Sequence, residues 1–438
     1  MTSGQKIDQA MASGPVSASA QRQSVSTTAL MPTAQAVSPG RVEFVDSVRA
    51  FAALYVVAHH LDLTVYGYPN NTGPPVLGPL LFGHFGVAIF IVVSGFSLGL
   101  APVRRGWQLG RGGYWEFMRR RAWRILPPYW AALAVSVVLV IVLSTRLNDP
   151  LSWKGVATHF LLVQNVIEGK TPNGAFWSIA VEWQLYWIFP LLLLVRRRLG
   201  PVVLTTAVVA MVIAIGVAHD HGGGVVVQKL LHLSPQLGAL FVYGLVAAVV
   251  ITRPAGRWRW WGYVSLITGL AVVIACAYLG AVRAEGDFYW LDLVIGVAVA
   301  TGLAYLTARP TSRLRRTLEW RPFMAVGRFS YSLYLLHAPL LIVAWVFLVK
   351  PLGLAPGAAF ALMAVLVVPA IVAASYGFHR AVELPFMEYR SWAELRAAWT
   401  AHRSRRRHDG AVVPESPTEL ADVDSIDGQR LAHETSRG

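Results

Sequence analysis

Ten mostly apolar stretches lie near 44–64, 79–100, 127–145, 176–195, 201–218, 233–251, 261–281, 289–307, 326–349 and 358–379. They alternate with short polar connectors rich in Gly, Pro and Arg. Each is close to the length an α-helix needs to cross a hydrocarbon core about 30 Å thick at about 1.5 Å of rise per residue. The pattern predicts an all-α, polytopic membrane protein of about ten transmembrane helices. The first stretch is the weakest. Its uninterrupted apolar core, Phe51–Ala58, is too short to cross alone, and Asp46, Arg49, His59, His60 and Asp62 surround it.

Charge orients the chain. The connectors 101–126, 196–200, 252–260 and 308–321 hold 18 Lys plus Arg, whereas 65–78, 146–175, 219–232, 282–288 and 350–357 hold 6. The first set is expected in the cytoplasm. The amino-terminal tail carries Lys6, Arg22 and Arg41, and the other tail carries "RSRRR" at 403–407, so both termini are expected on the cytoplasmic side. That requires an even number of crossings, which makes 44–64 a span despite its ionisable groups. Such groups inside a span are candidates for function.

Composition agrees, with 438 residues of which 55% are hydrophobic and 14% charged. The net charge of +15 does not point to nucleic acid, because the arginines sit in short clusters between apolar runs rather than on one basic face. The single cysteine, Cys276, excludes an intrachain disulfide and reads as a buried, inert thiol. Residues 1–40 contain no apolar core of signal-peptide length, so they and 391–438 are expected to be disordered cytoplasmic tails around a membrane domain at 41–390.

From Arg49 to His60 a helix turns about 1100°, returning to within about 20° of its start while rising roughly 16 Å. Arg49, His60 and Asp46 therefore share one stripe, and His59 lies about 80° from it. With entry from the cytoplasm, Arg49 is near the inner face and His60 in the outer half. The plain reading is that Asp46 pairs with Arg49 and His60 with a backbone carbonyl, locking the bundle. The functional reading is a polar path across the membrane.

The stretch "VDSVRAFAALYVVAHHL" resembles the opening helix of the acyltransferase 3 family, integral-membrane enzymes that move acyl groups from acyl-CoA to hydroxyls. Further matches follow in order: "FIVVSGFSL" at 90–98, "RRAWRILPPYW" at 120–130, "FWSIAVEWQLYW" at 176–187, "GRFSYSLYLLHAPL" at 327–340 and "VELPF" at 382–386. The family's basic residue and its histidine eleven positions later fall on Arg49 and His60. Ala88 stands where the family often has an acid, and Leu384 where it often has arginine.

The resemblance implies a stand-alone O-acyltransferase of the cell membrane, without an SGNH domain. It would use acyl-CoA, acetyl-CoA in the simplest case, as a donor substrate and hold no permanent cofactor and no metal. The acceptor would be a sugar hydroxyl of a cell-surface glycan, a glycolipid or a glycosylated metabolite. His60 would be the general base, with Glu182 and Asp46 assisting. Arg49, Arg120, Arg121 and Arg124 would hold the donor, because guanidinium forks match phosphate oxygens. His84, Trp177, Ser178, Tyr334 and His337 would meet the acceptor.

Spacing alone leaves alternatives open. Arg121 and Arg124 share a helix face, but any cytoplasmic loop collects arginines. Ser178, Glu182 and Tyr186 share a face, and Glu182 is placed at the depth of His60, either to orient its imidazole or hold the acceptor sugar, or as a satisfied buried acid. Ser330, Tyr334 and His337 make a polar face or an interhelical seam, and Ser94 with Gly95 suggests close helix packing. "HDHGGG" at 219–224 lacks a third ligand for a metal. The competing function is a multi-pass transporter or exporter of a small polar solute, although no inverted repeat is visible.

Overall fold

The computed structural model describes residues 42–67, 72–147, 150–167, 169–253 and 259–409. Among them all regular structure is helical. The α-helices are α1 (Phe44–Tyr66), α2 (His84–Arg104), α3 (Gly113–Leu147), α4 (Trp153–Phe160), α5 (Trp177–Asp220), α6 (Val225–His232), α7 (Pro235–Ala247) and α8 (Arg259–Gly286). They continue as α9 (Phe288–Ala308), α10 (Arg313–Leu318), α11 (Arg321–Arg328), α12 (Ser330–Ala344), α13 (Pro356–Leu362), α14 (Val368–Phe378), α15 (Leu384–Glu388) and α16 (Trp392–Asp409).

Nine helical segments among the described residues are long and apolar enough to cross a membrane. One of them, Gly174–Asp220, has 47 residues, which is more than twice the length a bilayer core needs. It breaks at Gly200, where φ is 90° and ψ 172°, a backbone region that glycine alone enters easily, and Pro201 follows. The break divides it into two crossings, so the segments supply the ten expected from the sequence. The first span has the lowest mean hydropathy of the nine, 1.2, yet α1 is a continuous 23-residue helix. What faces outward is apolar: α8 exposes Leu266, Ile267, Leu270, Val273 and Ile274, a surface that suits lipid. This is a multi-pass membrane protein.

Close backbone contact joins α2 to α7. A Cβ on Gly95 would lie 2.1 Å from the carbonyl oxygen of Phe241, and one on Gly244 would lie 2.0 Å from that of Val92. Gly99 meets Ala248 one turn further on, so small residues four apart on both segments let the backbones touch. No side chain can yield here, because the obstacle is backbone. Gly95→Ala is therefore expected to cost about 1–3 kcal/mol or more, read as a lowered melting temperature of the purified protein. Gly78→Ala, where nothing lies within 4 Å, is the neutral control.

Three boundaries differ from the sequence pattern. α3 starts at Gly113 and runs through Pro127 and Pro128, which sit inside the helix rather than at its start. The Tyr331 hydroxyl donates to the Ile125 carbonyl at 3.1 Å, beside the carbonyls that the two prolines leave without a donor. The last membrane helix continues through two π turns, Met363–Val367 and His379–Glu383, as far as Glu388. Residues 392–409, expected as part of a disordered tail, are helical, and the Trp392 ring packs on Trp123 and Phe386. Residues 1–40 and 410–438 lie outside the described residues.

Candidate active site

α1 presents its ionisable stripe to the interior. His60 touches His337 of α12, with ring centroids 4.9 Å apart, while Arg49 donates to Ser97 of α2 at 2.9 Å. Phe51, about 200° round the helix from Arg49, is 53% exposed on the outer side. Arg49 and His60 thus face the same interior between α2 and α12.

The partners of His60 settle its tautomer. Its Nδ1 lies 2.9 Å from the Val56 carbonyl oxygen, which can only accept, so the neutral ring carries its proton on Nδ1. By the same logic His337 keeps its proton on the Nδ1 that lies 2.8 Å from the Tyr334 carbonyl. The bare Nε2 of His337 then stands 3.4 Å from His60 Nδ1. Both contacts leave the lone pair of His60 on Nε2. The backbone-carbonyl pairing of the plain reading is present, and its effect is to fix which ring nitrogen keeps the lone pair.

Asp46 belongs to the other end. Its carboxylate lies 3.2 Å from Arg49 Nη1, about 21 Å along α1 from His60, so it orients the guanidinium rather than the imidazole. Glu182 sits there too. It accepts from Ser94 at 2.6 Å and from the Tyr186 hydroxyl, and Ser94 is one turn from Ser97, the partner of Arg49. The imidazole expected beside Glu182 has His337 as its neighbour instead. The reason is that α5 begins sunk in the bundle: buried Asn173, just ahead of it, donates to Ser136 at 3.2 Å and to the Leu335 carbonyl at 3.1 Å. Counting residues from a helix end therefore misjudged the depth of Glu182.

Arg121 adjoins this group. Its guanidinium lies over the Phe117 and Tyr186 rings, within electrostatic reach of Glu182 and Arg49, and its buried Nε has no hydrogen-bond partner among the described residues. It lines an open cleft between the end of α2 and the start of α3, together with Arg105, Gln108, Glu116, Arg120 and Phe189. Arg120 reaches into this cleft from the surface, tied to Glu116 at 2.7 Å. Arg124, expected beside Arg121, is exposed and is not among the lining residues. Arg105 and Ser97 were not singled out from the sequence, although Ser97 falls three positions after Ser94 on one face of α2.

At the His60 end, the His84 ring stacks parallel to Phe288 and Trp177, with centroids at 4.6 Å and 5.9 Å and interplanar angles of 7°. Its Nε2 lies 2.9 Å from buried Asp292. Ser178 and the Tyr334 hydroxyl meet at 2.6 Å, and Tyr334 also donates to the Ala175 carbonyl, which makes this pair an α5–α12 seam directly beneath His337. Buried Glu383 of "VELPF" accepts from Ser332 at 2.6 Å and lies 2.8 Å from His379 Nδ1, which ties α12 to the last membrane helix. Among the described residues no three His, Cys, Asp or Glu side chains converge on a metal position.

Comparison with known proteins bears on this arrangement. A family model described as an acyltransferase domain, acyltransferase 3, matches residues 42–380. YrhL of Bacillus subtilis (strain 168), named as a peptidoglycan O-acetyltransferase, is 23% identical over 327 residues, covering 68% of this chain and 48% of YrhL. The acyltransferase MdmB of Streptomyces mycarofaciens is 25% identical over 316 residues, 68% of this chain and 78% of MdmB. The O-acetyltransferase OatA of Staphylococcus aureus (strain NCTC 8325 / PS 47) is 23% identical over 340 residues, 70% of this chain and 51% of OatA. The chain thus spans about half the length of YrhL and OatA. No solved structure matches it. With the match running from the start of α1 into the last membrane helix, the chain belongs to the acyltransferase 3 family.

Proposed function

We propose that the protein transfers an acyl group, acetyl in the simplest case, from acyl-CoA to a hydroxyl of a sugar presented at the membrane. The observation that carries this is the fixed tautomer of His60: an inward-facing, half-buried imidazole whose Nε2 is the basic atom, on the same stripe as Arg49. The nucleotide end of the donor suits the arginine-lined cleft, where guanidinium groups and the Arg121 Nε–H meet phosphate oxygens. The slender pantetheine arm is comparable in length with the separation of roughly 16 Å from Arg49 to His60.

The step balances without a cofactor. The acceptor hydroxyl gives its proton to His60 Nε2 as its oxygen attacks the thioester carbonyl. The tetrahedral intermediate collapses, the carbon–sulfur bond breaks, and the leaving thiolate takes the proton back, giving an ester and free CoA. His337 holds the base in its Nδ1–H form throughout. His337→Ala is expected to lower kcat by roughly ten- to a hundredfold with little change in the KM for acetyl-CoA, since it removes orientation and not donor contacts.

The acceptor in the name of YrhL, peptidoglycan, makes an envelope glycan the first to examine, with a glycolipid or glycosylated metabolite as other acceptors. The test is mass spectrometry of envelope glycans and secreted metabolites from strains with and without the gene. Loss of an ester-linked acyl group from one component supports the reading and identifies the acceptor. An identical ester inventory in both strains, together with solute counterflow in liposomes holding the purified protein, would favour a transporter.

A further inference from the structure

Asp292 is a carboxylate in the middle of the apolar run "FYWLDLVIGVAVA", fully buried in α9. A buried carboxylate in a span is costly unless something uses it. Oδ2 faces His84 Nε2 at 2.9 Å, and Oδ1 is buried without a hydrogen-bond partner among the described residues. The ring that this carboxylate holds stacks parallel to both Phe288 and Trp177, which restrict the turning of its plane.

The clamp is built against the base. His84 opens α2 directly after Gly83, and a Cβ on Gly83 would lie 2.2 Å from Cβ of His59, so the start of α2 presses on α1 at that point. The His59 ring is 5.1 Å from that of His60, which is 4.9 Å from that of His337. His84, His59, His60 and His337 therefore form an arc of imidazoles, of which the first three are partly accessible and His337 is fully buried. In the acyltransferase reading the donor reaches His60 from the Arg49 side, which leaves the acceptor hydroxyl the other end of α1, where His59 and His84 stand.

We propose that Asp292 is a positioning residue for the acceptor: it fixes His84 in the wall of the approach to His60, where imidazole edges and the Trp177 and Phe288 rings suit a hydroxyl-bearing sugar ring. The assignment rests on the acyltransferase reading. Its rival is a simple buried lock between α2 and α9. Removing Asp292 alone leaves His84 without this partner and costs stability under either reading, so the two differ not in stability but in how product divides between acceptor and water.

The test uses membranes of a deletion strain that expresses the full-length wild type, Asp292→Asn or Asp292→Leu, supplied with radiolabelled acetyl-CoA. Two products are counted, alkali-labile ester on membrane components and free acetate from transfer to water. Total thioester cleavage is expected to change less than about threefold in either variant. The ester fraction is expected to fall roughly tenfold or more with leucine and less with asparagine, whose amide oxygen still accepts from His84 Nε2–H. An unchanged ester fraction in both variants overturns the assignment, as does a parallel fall of ester and acetate in protein that melts at the wild-type temperature. If the leucine variant does not accumulate, the asparagine variant alone decides by the same partition. Absence of any ester in wild-type membranes instead removes the acyltransferase reading itself.

Discussion

Replacing His60 with alanine is expected to lower the acyl-transfer rate by roughly a hundred- to ten-thousandfold, the usual contribution of a positioned general base. The KM for acetyl-CoA should stay within about threefold, because the proposed donor contacts lie roughly 16 Å away at the Arg49 end and would act on ground state and transition state alike. Initial-rate kinetics of the purified protein in nanodiscs, with melting curves to confirm folding, make the measurement. A His60→Ala protein with unchanged kcat would remove the base from the mechanism. A variant with normal kcat and a greatly raised KM would mean that the imidazole binds substrate and does not move a proton.

The second large effect concerns the donor. Arg121→Ala is expected to weaken CoA binding roughly ten- to a hundredfold, the scale of one or two charge-assisted hydrogen bonds to phosphate. Arg121→Lys should restore only part of it, since an ammonium group lacks the planar fork. Arg124→Ala, by contrast, should change affinity less than about twofold, because its side chain points to the exposed side of α3 outside the cleft. Isothermal titration of CoA into detergent-solubilised protein separates the three variants. Equal losses at positions 121 and 124 would mean that the nucleotide lies across the outer face of α3, not in the cleft with Arg105 and Arg120.

Much of this was legible in the sequence, for identifiable reasons. Spans follow from apolar length alone, and parity recovered α1, whose mean hydropathy of 1.2 is marginal. The Arg49–His60 stripe follows from helix periodicity, which needs no tertiary information. Gly95 was readable as a close contact because small residues at helix crossings have one common purpose. Depth was not readable. Glu182 and His60 stand at similar counts from their helix ends, but the buried turn before α5 shifts one against the other. Nor was direction around a helix beyond a single pair: Arg121 and Arg124 share a face by spacing, yet one turns inward over Tyr186 and the other is exposed. Asp292 was the avoidable omission, since a lone acid within an apolar run is itself a signal. Arg105 carried no such mark among the other arginines of its connector.

The pairing of Asp46 with Arg49 shows why plain and functional readings need not compete. Asp46 keeps the guanidinium in the interior at 3.2 Å, and Gly327 packs on the Asp46 backbone so closely that a Cβ there would lie 1.8 Å from its carbonyl oxygen. The same contacts that lock α1 against α11 also aim Arg49 at Ser97. Likewise the Val56 carbonyl that satisfies His60 Nδ1 is what leaves the lone pair on Nε2.

The central claim is that one interior path joins the arginine cleft to Nε2 of His60. An electron-cryomicroscopy structure of the protein in nanodiscs with CoA bound tests it most directly. The claim predicts nucleotide density among Arg105, Arg120 and Arg121, with the pantetheine arm running beside Arg49 and its sulfur within about 4 Å of His60 Nε2, the range of a near-attack geometry. Density for the nucleotide elsewhere, or an arm that ends short of His60 with the space between filled by side chains, would contradict it.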